Sequence, residues 1–400
     1  MPNKTQDYGD IRVTMTSEFG FQYDDQGTGC KFALEMYHAV SQGGMRPLGS
    51  MAFGTYHRGI SGKRGTILVG NVPGAPGRPA CAAPLGYDFI WNDSGTGGVR
   101  DGTIWRPQAP EGYVSLGDIC VGHYNEPSKD LVWCIREDLT FDSTYKPKFV
   151  WDDTKSGGKL DCSVWDIAQP TLPPTGAEMI PIRADTFRAI QAYHFPPSHL
   201  ARVLALPCPK NFDAFPTTRP QFTKDTLPAG GQTFNTKAQC EIILPYSAFL
   251  SATDTQSLNH ITDPFIVLSK SAAWFVHRIR SNEGGGSLKD TTSVTKGISS
   301  TQTSEMTHSA GVSISASYGI MGFGAEVSLN YQFTSTNSNS FTDYTETTNT
   351  VEVTVPPHEA YIYLIRHVWI KACRRGSSVD LHQVDFHAND DLWTVGVKLD

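Results

Sequence analysis

The sequence has no apolar run approaching the ~18 residues of a membrane-spanning helix, so any passage through a bilayer would fall to strands. Charge is also scarce: Asp, Glu, Lys and Arg make up 18% of the chain, against about a quarter in ordinary globular proteins. What charge there is sums to −7, which gives no reason to expect nucleic acid, a partner that needs a basic face, and argues against adhesion to anionic lipid by charge alone. The opening residues, Met1-Pro-Asn-Lys-Thr-Gln-Asp, lack the apolar core of a signal peptide. The expectation is therefore a soluble chain without a secretion signal, acting at a target membrane after release.

Catalytic motifs are missing too. There is no G-x-S-x-G and no Walker loop, and His358-Glu359 has no second His at metalloprotease spacing. Gly319, Gly322 and Gly324 read as a hairpin turn, and His194 and His199 flank a Pro-Pro step that breaks any helical face. Cys30, Cys81, Cys120, Cys134, Cys162, Cys208, Cys240 and Cys373 show no C-x-x-C spacing. They are expected as free, mostly buried thiols rather than metal ligands. Only Cys120 and Cys134 have a spacing that suits two adjacent strands. No enzyme, cofactor or metal is expected.

Glycine (37) and proline (25) are plentiful, which favours many short strands over long helices. Three segments align: Phe21-Gln-Tyr-Asp-Asp-Gln-Gly-Thr-Gly, Phe89-Ile-Trp-Asn-Asp-Ser-Gly-Thr-Gly and Phe149-Val-Trp-Asp-Asp-Thr-Lys-Ser-Gly-Gly. Other positions keep the offsets: Tyr37 falls on Trp105 and Trp165, Gly44 on Gly112, and Leu48-Gly49 on Leu116-Gly117. Each unit is a small antiparallel sheet too thin to bury its own face, so three copies around a pseudo-threefold axis would share one core. Residues 1–205 are thus read as a three-repeat β-prism for recognition, with a sandwich as the alternative. Asp25, Asp93 and Asp153 sit in the repeated Gly-rich turns. They suit either ligand loops, holding sugar hydroxyls or Ca²⁺, or caps of their own turns through Asx hydrogen bonds. Trp91, Trp105, Trp151 and Trp165 suit core positions or, alternatively, a sugar platform. The stretch from Trp91-Asn-Asp-Ser-Gly-Thr-Gly through Asp101-Gly-Thr-Ile-Trp-Arg-Pro to Asp118 resembles the vacuolar protein sorting-associated protein 62 family, a name that carries little chemistry.

Residues 206–236 form a Pro/Thr-rich stretch that reads as a linker, followed by strand-like runs in a module spanning 237–400. From Thr291 to Thr350, 25 of 60 residues are Ser or Thr and five are charged. The centre of this tract, 310–334, alternates strictly. On one arm Val312, Ile314, Ala316, Tyr318 and Ile320 are separated by Ser313, Ser315, Ser317 and Gly319. On the other Phe323, Ala325, Val327, Leu329, Tyr331 and Phe333 are separated by Gly324, Glu326, Ser328, Asn330 and Gln332. Parity switches across Met321-Gly322, as a hairpin with one apolar face requires. The apolar set is expected to face lipid, and Ser313, Ser315, Ser317, Glu326, Ser328, Asn330 and Gln332 a pore lumen. Each arm has about the ten residues that a tilted strand needs to cross hydrocarbon. One hairpin cannot close a barrel, and an open edge in lipid leaves backbone groups unpaired. Insertion would therefore make the chain its own partner in a homo-oligomer. The rival is a half-buried hairpin in an ordinary sandwich. Against it, no Gly or Pro interrupts 298–310 or 325–355, whereas sandwich strands end every 8–12 residues.

The tract Ala310-Gly-Val-Ser-Ile-Ser-Ala-Ser-Tyr-Gly through Asn339, with Thr350-Val-Glu-Val-Thr-Val-Pro-Pro-His, resembles the aerolysin superfamily, nearest its epsilon-toxin and mosquitocidal-toxin branch. That resemblance implies an all-β chain whose prism precedes an elongated aerolysin-like module with long Ser/Thr-rich strands. It implies recognition of a glycan, lipid or protein receptor, oligomerisation and a β-barrel pore, with insects as the branch's targets. The alternative function is a non-lytic, lectin-like module on an aerolysin-shaped stalk. Arg374-Arg375-Gly376 is a candidate activation cleavage site, with Ser377 to Asp400 as the piece removed. That tail also reads as two further strands.

Overall fold

The computed structural model describes residues 2–168, 179–207, 218–248, 250–297, 346–378, 380–388 and 392–400. The insertion hairpin expected at 310–334 lies outside them. The described residues form two units: residues up to 207 together with Pro245–Phe265, and residues 218–244 together with those from 266 onward.

The first unit repeats one pattern of two three-stranded sheets three times. Strands β1 (Gln6–Tyr8), β2 (Ile11–Thr16), β3 (Phe19–Asp24), β4 (Glu35–Ala39), β5 (Met51–Phe53) and β6 (Thr66–Asn71) make the first repeat. They are followed by β7 (Cys81–Ala82), β8 (Tyr87–Asn92), β9 (Thr103–Pro107), β10 (Tyr113–Val114), β11 (Ile119–Val121) and β12 (Cys134–Arg136). The third repeat is β13 (Thr140–Asp142), β14 (Trp151–Asp152), β15 (Ser163–Asp166), β16 (Met179–Ile182), β17 (Phe187–Ile190) and β18 (Arg202–Pro207). One three-stranded sheet per repeat carries the aromatic strands, in the orders β3-β4-β5, β8-β9-β11 and β14-β15-β17. A second is β1-β2-β6, β10-β12-β7 and β13-β18-β16. The correspondence extends to detail, since Arg46 bridges Val69 of β6 where β10 pairs β12 and β16 pairs β18.

Sheets this thin cannot bury both faces alone, so they share a centre. Tyr23, Trp91 and Trp151, equivalent in the three repeats, are fully buried there. Their rings meet edge to face, with centroids 5.8 Å apart for Tyr23–Trp91 and 5.4 Å for Trp91–Trp151, a geometry aromatic quadrupoles favour. Truncating any one would cost ~3–5 kcal/mol. Each repeat also abuts the next. A Cβ at Gly54 would lie 2.9 Å from Val150 O, and one at Gly122 2.8 Å from Gln22 O. The third repeat places Gln191 instead, whose side-chain amide donates to Ile90 O at 2.5 Å. Cys120 and Cys134 belong to β11 and β12, which lie in different sheets, so the expected adjacency is not found.

Two sequence-based boundaries shift. Pro245–Phe265 joins the prism rather than the second module. Gly65 N–H donates to Ala252 O at 2.8 Å, Lys4 N–H to Thr262 O at 2.8 Å, and Lys4 Nζ pairs with Asp263 at 3.0 Å. Residues 218–236 are not a free linker: Phe222, Leu227 and Phe234 pack on the second unit's core around Trp274.

That unit contains β19 (Thr233–Pro245), β20 (Phe265–Asn282), β21 (Leu288–Lys296), β22 (Thr347–Val355), β23 (Glu359–Arg374), β24 (Asp380–His387) and β25 (Trp393–Lys398). The order β19-β20-β23-β24, with β25 also on β23, makes one sheet, and β21-β22 a separate two-stranded ribbon. At ~3.3 Å per residue, strands of 18 and 16 residues such as β20 and β23 extend for some 50–60 Å. They tie distant points together through a continuous antiparallel ladder.

The close approach at the prism axis gives a direct test. A Cβ at Gly117 would meet Thr186 Cβ at 2.6 Å and Gly49 Cα at 3.2 Å, whereas one at Gly44 meets nothing within 4 Å. Gly117→Ala should lower unfolding free energy by ~1–3 kcal/mol through overpacking, and Gly44→Ala should stay within ~0.5 kcal/mol. Urea unfolding of both variants checks the contrast.

Candidate functional site

Each repeat's first hairpin turns through a Gly-rich loop with an Asp at its head, and the three loops converge. Val99 N–H donates to Gln26 O at 2.9 Å and Lys31 N–H to Thr154 O at 3.1 Å, so neighbouring repeats are stitched together at this end. Left-handed backbone at Gly27, Gly95 and Gly157, with φ of 88°, 89° and 73°, tightens the turns.

The geometry around the three Asp residues is the same to within a few tenths of an ångström. Asp25, Asp93 and Asp153 accept on Oδ1 from the backbone N–H nine residues on: Leu34 at 2.9 Å, Gly102 at 3.0 Å and Cys162 at 2.9 Å. The same Oδ1 accepts a phenol: Tyr56 at 2.6 Å, Tyr124 at 2.9 Å and Tyr193 at 2.8 Å. Trp151 Nε1–H donates to Asp25 Oδ2 at 2.9 Å. All three Asp residues are buried. The loop carboxylates are thus hydrogen-bonded by their own chain, across the whole loop rather than through the short Asx turn expected from the sequence. Among the described residues, no group of three or more His, Cys, Asp or Glu is placed to hold a metal ion.

The tyrosines escaped the sequence reading although Tyr56 and Tyr124 share the 68-residue offset; Tyr193 lies nine residues beyond the position that the 60-residue offset gives. Their rings are 41%, 46% and 51% exposed, so each covers a turn from the solvent side. Burial of the hydroxyl ends, then the Asp hydrogen bonds, raise the phenol pKa values well above the ordinary tyrosine range. Deprotonation would remove the only donated proton and place two anions together.

A second threefold feature lies away from the central Tyr23–Trp91–Trp151 cluster. Phe21–Tyr37, Phe89–Trp105 and Phe149–Trp165 pair edge to face with centroids 5.7, 5.5 and 5.8 Å apart. Phe21 and Phe89 are exposed, while Trp91 and Trp151 are core. Burial pushes Cys30 up to about 11 and Cys134 up to about 12, so these two prism thiols are far from the thiolate that reactivity needs. His38 and Ser50 hydrogen-bond at 2.9 Å, but both are buried and cannot meet a substrate.

In the second unit, β21 and β22 pair over their full length, from Leu288 with Val355 to Lys296 with Thr347. Hydroxyls face each other across the ribbon, Ser293 with Thr350 at 3.1 Å and Thr295 with Thr348 at 3.0 Å. The chain from 298 to 345, with every lipid-facing and lumen-facing position named above, lies outside the described residues. Arg374 and Arg375 end β23 in a turn closed by Ser377 N–H on Arg374 O at 2.9 Å. Beyond them the tail is the two strands β24 and β25, both hydrogen-bonded to β23. Trp393, Val395 and Val397 pack with Trp274. Removing this tail would expose an edge of β23 and part of the core, so it is not built as a detachable cap.

The Asp–Tyr clasp predicts a measurable loss. Tyr124→Phe should cost ~1–2 kcal/mol in urea unfolding by leaving Asp93 a donor short, with Tyr56→Phe similar.

A family model, vacuolar protein sorting-associated protein 62, matches residues 3–225. No curated protein matches the chain. Among solved structures, GNIP1Aa from Chromobacterium piscinae is 23% identical with a TM-score of 0.37, over 46% of this chain and 34% of that one. Cry35Ab1 is 8% identical with a TM-score of 0.37, over 98% of this chain and 90% of that one. The present chain therefore spans about a third of the length of GNIP1Aa. The family match runs through all eighteen prism strands and over more than half of the sequence, so this chain belongs to the vacuolar protein sorting-associated protein 62 family.

Proposed function

We propose that this chain is a water-soluble β-pore-forming protein. Its prism recognises a target surface, and its second module supplies one membrane-inserting hairpin per subunit to a homo-oligomeric barrel. The observation that carries the reading is the strict alternation over 310–334, joined to the pairing of the ribbon that feeds it. Every pair in that ribbon, from Leu288–Val355 to Lys296–Thr347, has its midpoint between residues 321 and 322. Met321-Gly322 is also where the apolar parity switches.

In the inserted state, a hairpin carrying this register onward pairs Val312 with Tyr331, Ile314 with Leu329, Ala316 with Val327, Tyr318 with Ala325 and Ile320 with Phe323. Each pair is apolar with apolar, as one lipid-facing surface requires. Shifting the register by a single residue would pair apolar with polar positions and destroy that surface. The hydroxyl-rich ribbon then serves as the aqueous stem, because Ser and Thr satisfy water on either face without needing a core. The resemblance of the tract to the aerolysin superfamily supports the same reading.

Three measurements test it. Purified protein should release dye from vesicles made with target-cell lipid extract; binding without release would favour the non-lytic, lectin-like alternative. Val327→Arg should abolish release, since Arg near the midplane costs ~2–4 kcal/mol per subunit, summed around the ring. Glu326 is the one charge in the hairpin, and a ring of lumen carboxylates favours cations. Glu326→Lys should therefore shift planar-bilayer reversal potentials toward anions, and a conducting variant of unchanged selectivity would refute the register.

A further inference from the structure

Three histidines from separate strands meet where the ribbon rests on the large sheet of the second unit. His367 on β23 is directly opposite His387 on β24, and their Nδ1 atoms are 3.0 Å apart. His367 Nε2 lies 3.1 Å from Asp385 Oδ2. His277 sits at a bulge of β20, skipped between the pairs Val276–Leu364 and Arg278–Tyr363. Its ring is 6.0 Å from that of His387. Phe275 packs against both His367 and His387, each at 5.1 Å between centroids.

The ribbon touches this group at two points. His277 hydrogen-bonds the Ser293 backbone and lies 3.5 Å from Thr292 Oγ1. Gly297 N–H, one residue past β21, donates to the His387 carbonyl at 2.8 Å. A third hold combines ion pairs with a hydrogen bond: buried Asp290 of β21 receives Arg278 at 3.1 Å, Arg280 at 3.7 Å and the Tyr363 hydroxyl at 3.0 Å.

The proton order follows from the partners. With Asp385 ionised, His367 Nε2–H donates to it, so the neutral His367 ring accepts at Nδ1 and His387 donates there. One added proton can be shared between the two rings. Protonating both turns the 3.0 Å contact into two opposed N–H donors and two cations, with His277 a third close by. The charged groups on the elements packed here are Asp385 on β24, Arg278 and Arg280 on β20, Asp290 and Lys296 on β21, and Glu352 of β22, paired with Lys289 at 3.0 Å, while Arg366 on β23 lies over Trp274 on the other face. Of the carboxylates, Asp290 is already engaged by two arginines, and Asp385 contacts His367 at 3.1 Å and opposes the fall at His387 as the weakest of its influences.

We propose that His277, His367 and His387 form an acid-sensitive latch that holds the β21–β22 ribbon on the β20-β23-β24 sheet at neutral pH and lets it go on acidification. Burial lowers all three below the ordinary imidazole value. The neighbouring histidines add to this at His387, which falls to about 4; at His277 the Ser293 backbone partly opposes it and Arg278 adds to it; and Asp385 partly opposes it at His367. Lowered folded values mean that the open form binds the extra protons. The latch is therefore fully stable above about pH 6.5 and weakens as pH falls from there toward about 4, by up to roughly tenfold per pH unit for each histidine involved.

The latch is a property of the sheet alone; its use as a trigger rests on the pore-forming reading, because the ribbon's strands lead into and out of residues 298–345. Hydrogen exchange of the full-length chain, expressed as protection factors, tests the latch. Protection at 288–297 should fall at least about tenfold between pH 6.5 and 5.5 while the prism strands keep theirs. In His387→Phe that fall should shrink severalfold. Unchanged wild-type protection, or an equal fall in the variant, overturns the latch. Should His387→Phe fail to fold, the wild-type histidine Cε1–H resonances decide: midpoints below 6 support the latch, and three independent midpoints near 6.5 refute it. Vesicle release that rises on acidification in wild type but not in the variant supports the trigger. Release that ignores pH while the ribbon still opens removes the trigger and leaves the latch standing.

Discussion

Burying a carboxylate costs several kcal/mol unless hydrogen bonds replace the water it gives up, and the prism accepts that cost three times. Asp25, Asp93 and Asp153 each gather the far end of their own loop through a backbone amide and a later strand through a tyrosine hydroxyl. The closed turns hold β3, β8 and β14 so that Tyr23, Trp91 and Trp151 meet at the axis. Without those turns three thin sheets would have no common core.

The second unit solves a different problem with similar chemistry. Asp290 is again a buried carboxylate, but its donors are two arginines and a tyrosine from a separate sheet. Such a contact locates the ribbon without burying much apolar area, and the ribbon's exposed strand is mostly Thr, Asn and Glu. Elements held by few polar contacts sit at the low-stability end of a fold. A ribbon of this kind can separate from its sheet without unfolding the Trp274 core, a mechanical requirement of any protein that extends a hairpin from a folded body.

Much of this was legible in the sequence. Fixed offsets of 68 and 60 residues exposed the repeats, and repeated Phe, Trp and Asp positions located the sheets and their turns. The turn carboxylates stood out as either turn caps or ligand groups, yet their partners did not, because Tyr193 lies nine residues off the repeat offset. The boundary at Pro245–Phe265 was hidden because tertiary hydrogen bonds from Gly65 and Lys4, rather than any local pattern, draw that segment to the prism. The tail after Arg375 was ambiguous because a dibasic turn and a strand connection look alike in one dimension. The histidine cluster had no signal at all: a bulge at His277 and the register of β23 with β24 bring together residues as much as 110 positions apart.

The central claim is that residues 310–334 leave water for lipid in the register set by β21 and β22. Hydrogen exchange of that segment, followed by mass spectrometry on full-length protein free and bound to vesicles, tests it most directly. The account predicts that backbone amides of both arms gain at least about a hundredfold protection on vesicles, while the Met321-Gly322 turn stays exchangeable. Equal exchange of the arms in free and vesicle-bound protein would contradict it.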